Sequence, residues 1–215
     1  MSLGPSPVPE HPIAPMPHRV VLNARQLPSY GDGARGSTWW GIQGFIGAEA
    51  IGFVMAIGAY FYLVFINGHW PLAQKAPDIY TSTFHTVMML GSLWPNIMAK
   101  RAAEREDLQN TRFWLVVMSV LGTALLGLRV AEIALLHVKW DENAYGSVVW
   151  LLLSFHTVHL ITDVVETIVL TALMFTVHGH GKRFTNIAQN AIYWNFVVAA
   201  WVPVYIVVYI FPRWY

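Results

Sequence analysis

Charged residues are so widely spaced along this chain that they divide it into long apolar stretches. A helix needs about 20 consecutive apolar residues to cross a bilayer, and five stretches reach that length. They predict spans at about 39–66, 79–99, 113–137, 145–178 and 187–211. The first holds one charge, Glu49. The second and fifth hold none. The third holds Arg129 and Glu132, and the fourth holds Asp163 and Glu166. The predicted fold is all-α, an integral membrane bundle of five transmembrane helices.

Residues 1–36 follow a different pattern. Seven prolines between Pro5 and Pro28 break any helix there, and no apolar signal-peptide core is present. The chain therefore reads as a Pro-rich tail, 1–36, followed by a membrane domain, 37–215. Lys and Arg in the short connections set orientation. Nine lie in the tail and in the loops after spans two and four, against three on the other side, Lys75, Lys139 and Arg213. This asymmetry predicts a cytoplasmic N-terminus and a periplasmic C-terminus. There is no internal repeat of the kind that marks inverted-repeat transporters. Gly41, Gly44, Gly47, Gly52 and Gly58 in span one, with Gly122 and Gly127 in span three, are expected to let neighbouring helices approach closely.

Composition sharpens this picture. The chain of 215 residues is 55% hydrophobic and 12% charged, about half the charge of a soluble domain. A net charge of +1 excludes a strongly basic nucleic-acid binder. The absence of cysteine excludes disulfides, iron–sulfur clusters and thiolate-held metals.

The chemistry lies in the ionisable residues inside the spans. Each costs about 2.5–3.5 kcal/mol at mid-bilayer on insertion scales, so such groups mark a site or a network. His156, His159, Asp163 and Glu166 follow one another at helical spacing and share one stripe of span four. The stripe either binds a metal or relays protons, or it forms hydrogen bonds and ion pairs with a neighbour. Arg129 and Glu132, three apart on span three, are the candidate partners. Glu49 stands alone in a long apolar span and calls for a cation, a histidine, a lipid headgroup or a bound proton. His85 reads as a hydrogen-bonded core residue. His178 and His180 read as part of a loop near anionic headgroups.

Four segments in order resemble subunit III of the haem-copper terminal oxidases, in its five-helix form, over about residues 38–214. They are Trp39-Trp40-Gly41 with Phe45-Ile46-Gly47-Ala48-Glu49; Ala131-Glu132-Ile133; Tyr145-Gly146-Ser147 through Ser154-Phe155-His156-Thr157-Val158-His159; and Ala191-Ile192-Tyr193-Trp194-Asn195-Phe196-Val197. The chain departs from the family at Thr157 and Asp163, where glycine is usual, at Asn195, where histidine is usual, and at Arg129. The resemblance implies a non-catalytic subunit in a bacterial inner membrane. Such a subunit binds no metal, packs against the haem- and copper-bearing subunit I among other oxidase subunits, holds structural phospholipids and supports proton uptake during oxygen reduction. On this reading Trp39, Trp40, Glu49, His156, His159 and Trp194 line a polar, lipid-binding cleft. Arg129, Glu132, Asp163, Glu166 and Asn195 form an intramembrane polar network, and His11 and His18 in the tail collect protons. The alternatives are the accessory subunit of a nitric-oxide reductase, a membrane metalloenzyme using the span-four stripe, and a proton-coupled transporter.

Overall fold

The computed structural model describes residues 36–72, 76–176 and 182–214, with the side chain of Lys182 left out. His11, His18, His178 and His180, and all of the tail but its last residue, lie outside the described residues. Helices are the regular structure of the described residues: α1 (Ser37–Asn67), α2 (Ile79–Gly91), α3 (Leu93–Glu104), α4 (Leu108–Ala134), α5 (Ala144–Met174), α6 (Lys182–Tyr205), a π-helical turn (Ile206–Ile210) and α7 (Phe211–Trp214).

Local chemistry sets the helix ends. Asp78 caps α2 by accepting from the Thr81 N–H at 3.1 Å. Asp107 caps α4 through the Asn110 N–H at 3.1 Å, and Asn143 caps α5 through the Gly146 N–H at 2.8 Å. Each side-chain oxygen satisfies a donor that the first helical turn leaves free. Gly68 ends α1 in the left-handed conformation, φ 65°, which costs glycine no Cβ clash. At the far end of α5, Arg112 Nε donates to the Met174 carbonyl at 2.7 Å, and its guanidinium lies over Phe175.

Four helical segments among the described residues are long and apolar enough to cross a membrane: Ser37–Asn67, Leu108–Ala134, Ala144–Met174 and Arg183–Trp214. The stretch expected as the second span is two shorter helices, α2 and α3, joined at Ser92. Pro95 has no N–H to offer the Gly91 carbonyl, which interrupts the ladder there. Ser92 itself keeps helical angles, φ −65° and ψ −18°. Pro203 acts similarly within α6, and the π turn follows three residues later.

α5 is the centre of the packing, set against α4, α6 and α1, while α3 lies against α4 and α6. The main core includes Leu152, Leu153, Leu160, Val197, Trp201 and Tyr60. A smaller cluster of Ala103, Leu115, Leu170, Met174, Phe184 and Ile187 closes the end near the α3–α4 loop. Large apolar side chains face outward: Phe65 is 80% exposed, Met55 70% and Val130 69%. Such a surface suits hydrocarbon, and the chain is a multi-pass membrane protein.

The glycines act differently from expectation. A Cβ at Gly41, Gly44, Gly47, Gly58 or Gly127 would meet nothing within 4 Å. Among the spans' glycines named above, only at Gly52 and Gly122 would a Cβ be crowded, 2.8 Å from the Phe155 ring and 2.8 Å from Val164. Composition shows which residues permit close packing, but only the crossing points of helices show where it occurs.

Candidate functional site

Three polar clusters branch from one face of α5. His156, His159 and Asp163 are buried on that face, each toward a different neighbour, whereas Glu166 is exposed.

The first cluster is an ion pair deep in the bundle. Arg129 on α4 is fully buried and donates from Nη1 to Glu132 Oε2 at 2.6 Å. Its guanidinium carbon lies 3.9 Å from the centre of the Trp201 ring, a cation–π contact. Nη2 lies 3.2 Å from His156 Nδ1. Because guanidinium only donates, Nδ1 accepts, so the imidazole proton is on Nε2. That N–H donates to the Val197 carbonyl at 3.1 Å. Both ring nitrogens are thus engaged and the tautomer is set. His85 is buried as expected, but neither ring nitrogen has a hydrogen-bond partner among the described residues; its ring packs edge-on against Trp201 at 5.3 Å. Tyr209, on the π turn, is buried beside Trp201 with ring centroids 6.4 Å apart, and its hydroxyl has no hydrogen-bond partner among the described residues.

The second cluster joins α1, α5 and α6. Glu49 Oε2 accepts from the Tyr193 hydroxyl at 2.8 Å, and Oε1 lies 3.5 Å from His159 Nε2. The other nitrogen of His159, Nδ1, donates to the Phe155 carbonyl at 2.6 Å. Phe53, one turn beyond Glu49, packs with its ring tilted against Phe155 and His159, centroids 4.7 and 5.0 Å away. The Glu49 side chain keeps 18% of its surface open, so this cluster reaches the bundle's exterior.

The third cluster lies nearer the C-terminal end of α5. Asn190 Nδ2 donates to Asp163 Oδ1 at 2.7 Å, and Thr167 donates to Asn190 Oδ1 at 3.1 Å. Asp163 Oδ2 is buried with no hydrogen-bond partner.

The remaining sequence candidates fall outside these clusters. Trp39 is half-buried and Trp40 is 64% exposed, their rings edge-to-face at 4.9 Å. Nine residues of helix place Trp40 about 14 Å from Glu49 along the axis. Trp194 is buried and donates to Ser92 Oγ at 2.8 Å. Asn195 is exposed and accepts from Asn96 at 3.0 Å. Sequence reasoning missed Tyr193, Asn190, Thr167 and Trp201 as partners. Asn190, Tyr193, Val197 and Trp201 do recur at helical spacing, so the signal was present in span five. Among the described residues, no group of three or more His, Asp or Glu is placed to hold a metal ion.

No family model matches the chain. Curated relatives do. The chain is 27% identical to the probable cytochrome c oxidase subunit 3 of Mycobacterium tuberculosis over 151 residues, covering 66% of this chain and 72% of the relative. It is 23% identical to cytochrome c oxidase subunit 3 of Neurospora crassa over 176 residues, covering 79% and 65%. It is 22% identical to the cytochrome bo(3) ubiquinol oxidase subunit 3 of Pseudomonas aeruginosa over 178 residues, covering 81% and 85%. Its relatives are oxidase subunit 3 proteins. The similarity to oxidase subunit III crosses from cytochrome c oxidases to a ubiquinol oxidase, which agrees with the resemblance carried by the segments around Glu49, His156, His159 and Tyr193.

Proposed function

We propose that this chain is the non-catalytic subunit III of a haem-copper respiratory oxidase in a bacterial inner membrane. It packs against subunit I, binds structural phospholipid and sustains proton uptake while the complex reduces oxygen. The observation that carries the reading is similarity to oxidase subunit 3 proteins over most of the chain, in a helical membrane bundle. Haem and copper belong to the partner subunits on this reading.

The bilayer arrangement we favour has five crossings, with α2 and α3 acting together as one. Their 26 residues, Ile79 to Glu104, span about 39 Å, enough for about 30 Å of hydrocarbon. The N-terminus and the tail, 1–36, are cytoplasmic, where His11 and His18 collect protons. Lipid lies along α1, whose apolar stretch is 17% buried against 50% for that of α5. Trp39 and Trp40 stand at headgroup level. Glu49, with His159 and Tyr193, closes the deep end of the cleft.

Native mass spectrometry of the complex tests this. Glu49→Ala should reduce retained phospholipids, and removal of the whole subunit should shorten the period over which oxygen consumption is sustained. Retained lipid in the first case, or full rate and lifetime in the second, would refute the corresponding role. A wild-type chain that purifies with no haem-bearing partner would refute the subunit assignment.

A further inference from the structure

We infer that the outward arc of α5 around Glu166 seats a transmembrane helix of a partner chain that presents a lysine or arginine to this carboxylate. The inference rests on the reading above that the chain is one subunit of a membrane assembly.

Its first support is where Glu166 stands. α5 has 31 residues from Ala144 to Met174, and Glu166 lies seven residues, about 10 Å, from the helix midpoint. The hydrocarbon extends about 15 Å from the bilayer centre, so Glu166 is inside it when α5 is centred. Intramembrane carboxylates face protein or water rather than acyl chains, yet Glu166 is exposed in the isolated chain. Its stem is too short to reach the interface as a lysine would.

The second support is local charge. The ion pairs among the described residues are Lys100–Glu104, Arg129–Glu132 and His159–Glu49, and none includes Glu166. Asp163, one turn away, is fully buried, and its Oδ2 has no hydrogen-bond partner. His159, the nearest imidazole, is held by the Phe155 carbonyl and Glu49. Among the described residues no lysine or arginine pairs with Glu166, Asp163 or Glu49.

The third support is shape. α5 meets α4 at Val164 against Gly122 and α1 at Phe155 against Gly52. Between these contacts Val158, Thr162, Val165 and Val169 form an exposed stripe at helical spacing beside Glu166. β-Branched side chains with one hydroxyl make a ridge that a second helix can pack against. A cation on that helix would pair with Glu166 in a low dielectric, where the attraction is strong.

The test uses the full chain in native membranes, with a photo-crosslinking amino acid at Thr162 or at Val169. The expected adduct joins this chain to an apolar segment of another polypeptide that carries a lysine or arginine within two helical turns. Glu166→Lys should lower the yield several-fold and Glu166→Gln should lower it less. Adducts only with phospholipid, only with a second copy of this chain or only with a helix lacking a basic residue would overturn the inference. So would the absence of any adduct, or a yield unchanged by Glu166→Lys. Glu166→Gln changes no volume and keeps the fold comparable. The haem spectrum of the co-purified complex separates the two proposals. Haem without the adduct removes this docking surface alone, while the adduct without haem removes the oxidase assignment alone.

Discussion

Arg129 lies with its guanidinium 3.9 Å above the Trp201 ring while Nη1 holds Glu132 at 2.6 Å. One cation therefore joins α4 to α6 through a π-face, and a further contact, to His156, joins it to α5. Buried pairs of this kind are worth little over an apolar substitute, yet losing one partner strands the other. Arg129→Met should destabilise the protein by about 3–5 kcal/mol, and Glu132→Gln in the same direction. The double change Arg129→Met with Glu132→Leu should recover much of that loss. Unfolding of the detergent-purified protein, read as a double-mutant cycle, checks this; equal losses in single and double variants would contradict it.

The same contact sets a protonation pattern. Arg129 donates to His156 Nδ1, so the ring proton is held on Nε2 against the Val197 carbonyl. Nitrogen NMR of histidine-labelled protein should show His156 as the Nε2–H tautomer. In Arg129→Met that preference should weaken, because Nδ1 loses its donor. His159 should carry a proton on Nδ1, toward the Phe155 carbonyl.

Glycines of similar appearance should respond differently to alanine. A Cβ at Gly146 would run into the Lys139 carbonyl oxygen and Val138, so Gly146→Ala should cost about 1–3 kcal/mol or more. Gly122→Ala presses on Val164 and should cost about 1–3 kcal/mol as well. Gly58→Ala and Gly127→Ala meet open space and should be neutral or stabilising by up to about 1 kcal/mol through helix propensity. Thermal denaturation of the four variants ranks them.

Two helix caps outside the spans should give the protein an acid-sensitive margin. The Thr81 backbone N–H, then the Thr81 hydroxyl, hold the Asp78 carboxyl below its ordinary value of 3.8. The Asn110 backbone N–H, then its side chain, do the same for Asp107. A depressed folded pKa contributes stability that is complete above the ordinary value and is lost as pH falls through the folded one. Asp78→Asn and Asp107→Asn should therefore flatten the fall in thermal midpoint below about pH 4. A slope identical to that of the unaltered protein would show that the caps do not contribute.

The long apolar stretches and the α5 stripe were legible in the amino-acid order, because helix period and hydrocarbon thickness are local constraints. His156, His159 and Asp163 repeat at the spacing that makes one face, whereas Asp78, Asp107 and Asn143 emerged as caps only in the structure. Of the neighbours, the sequence offered Arg129 for the α5 stripe, where it meets His156, and a histidine for Glu49, where His159 stands; the other partners were not legible. Arg129 finds Trp201, Glu49 finds Tyr193 and Asp163 finds Asn190 across separations of 72, 144 and 27 residues. Those pairings depend on how the helices cross and rotate. The same rotation turns Glu166 outward although it shares the spacing of its buried neighbours, buries Trp194 against Ser92, and leaves five of the seven span glycines with no close neighbour. Sequence sets which side chains share a helix face, and packing of whole helices, a long-range balance of shape and buried charge, decides what that face meets.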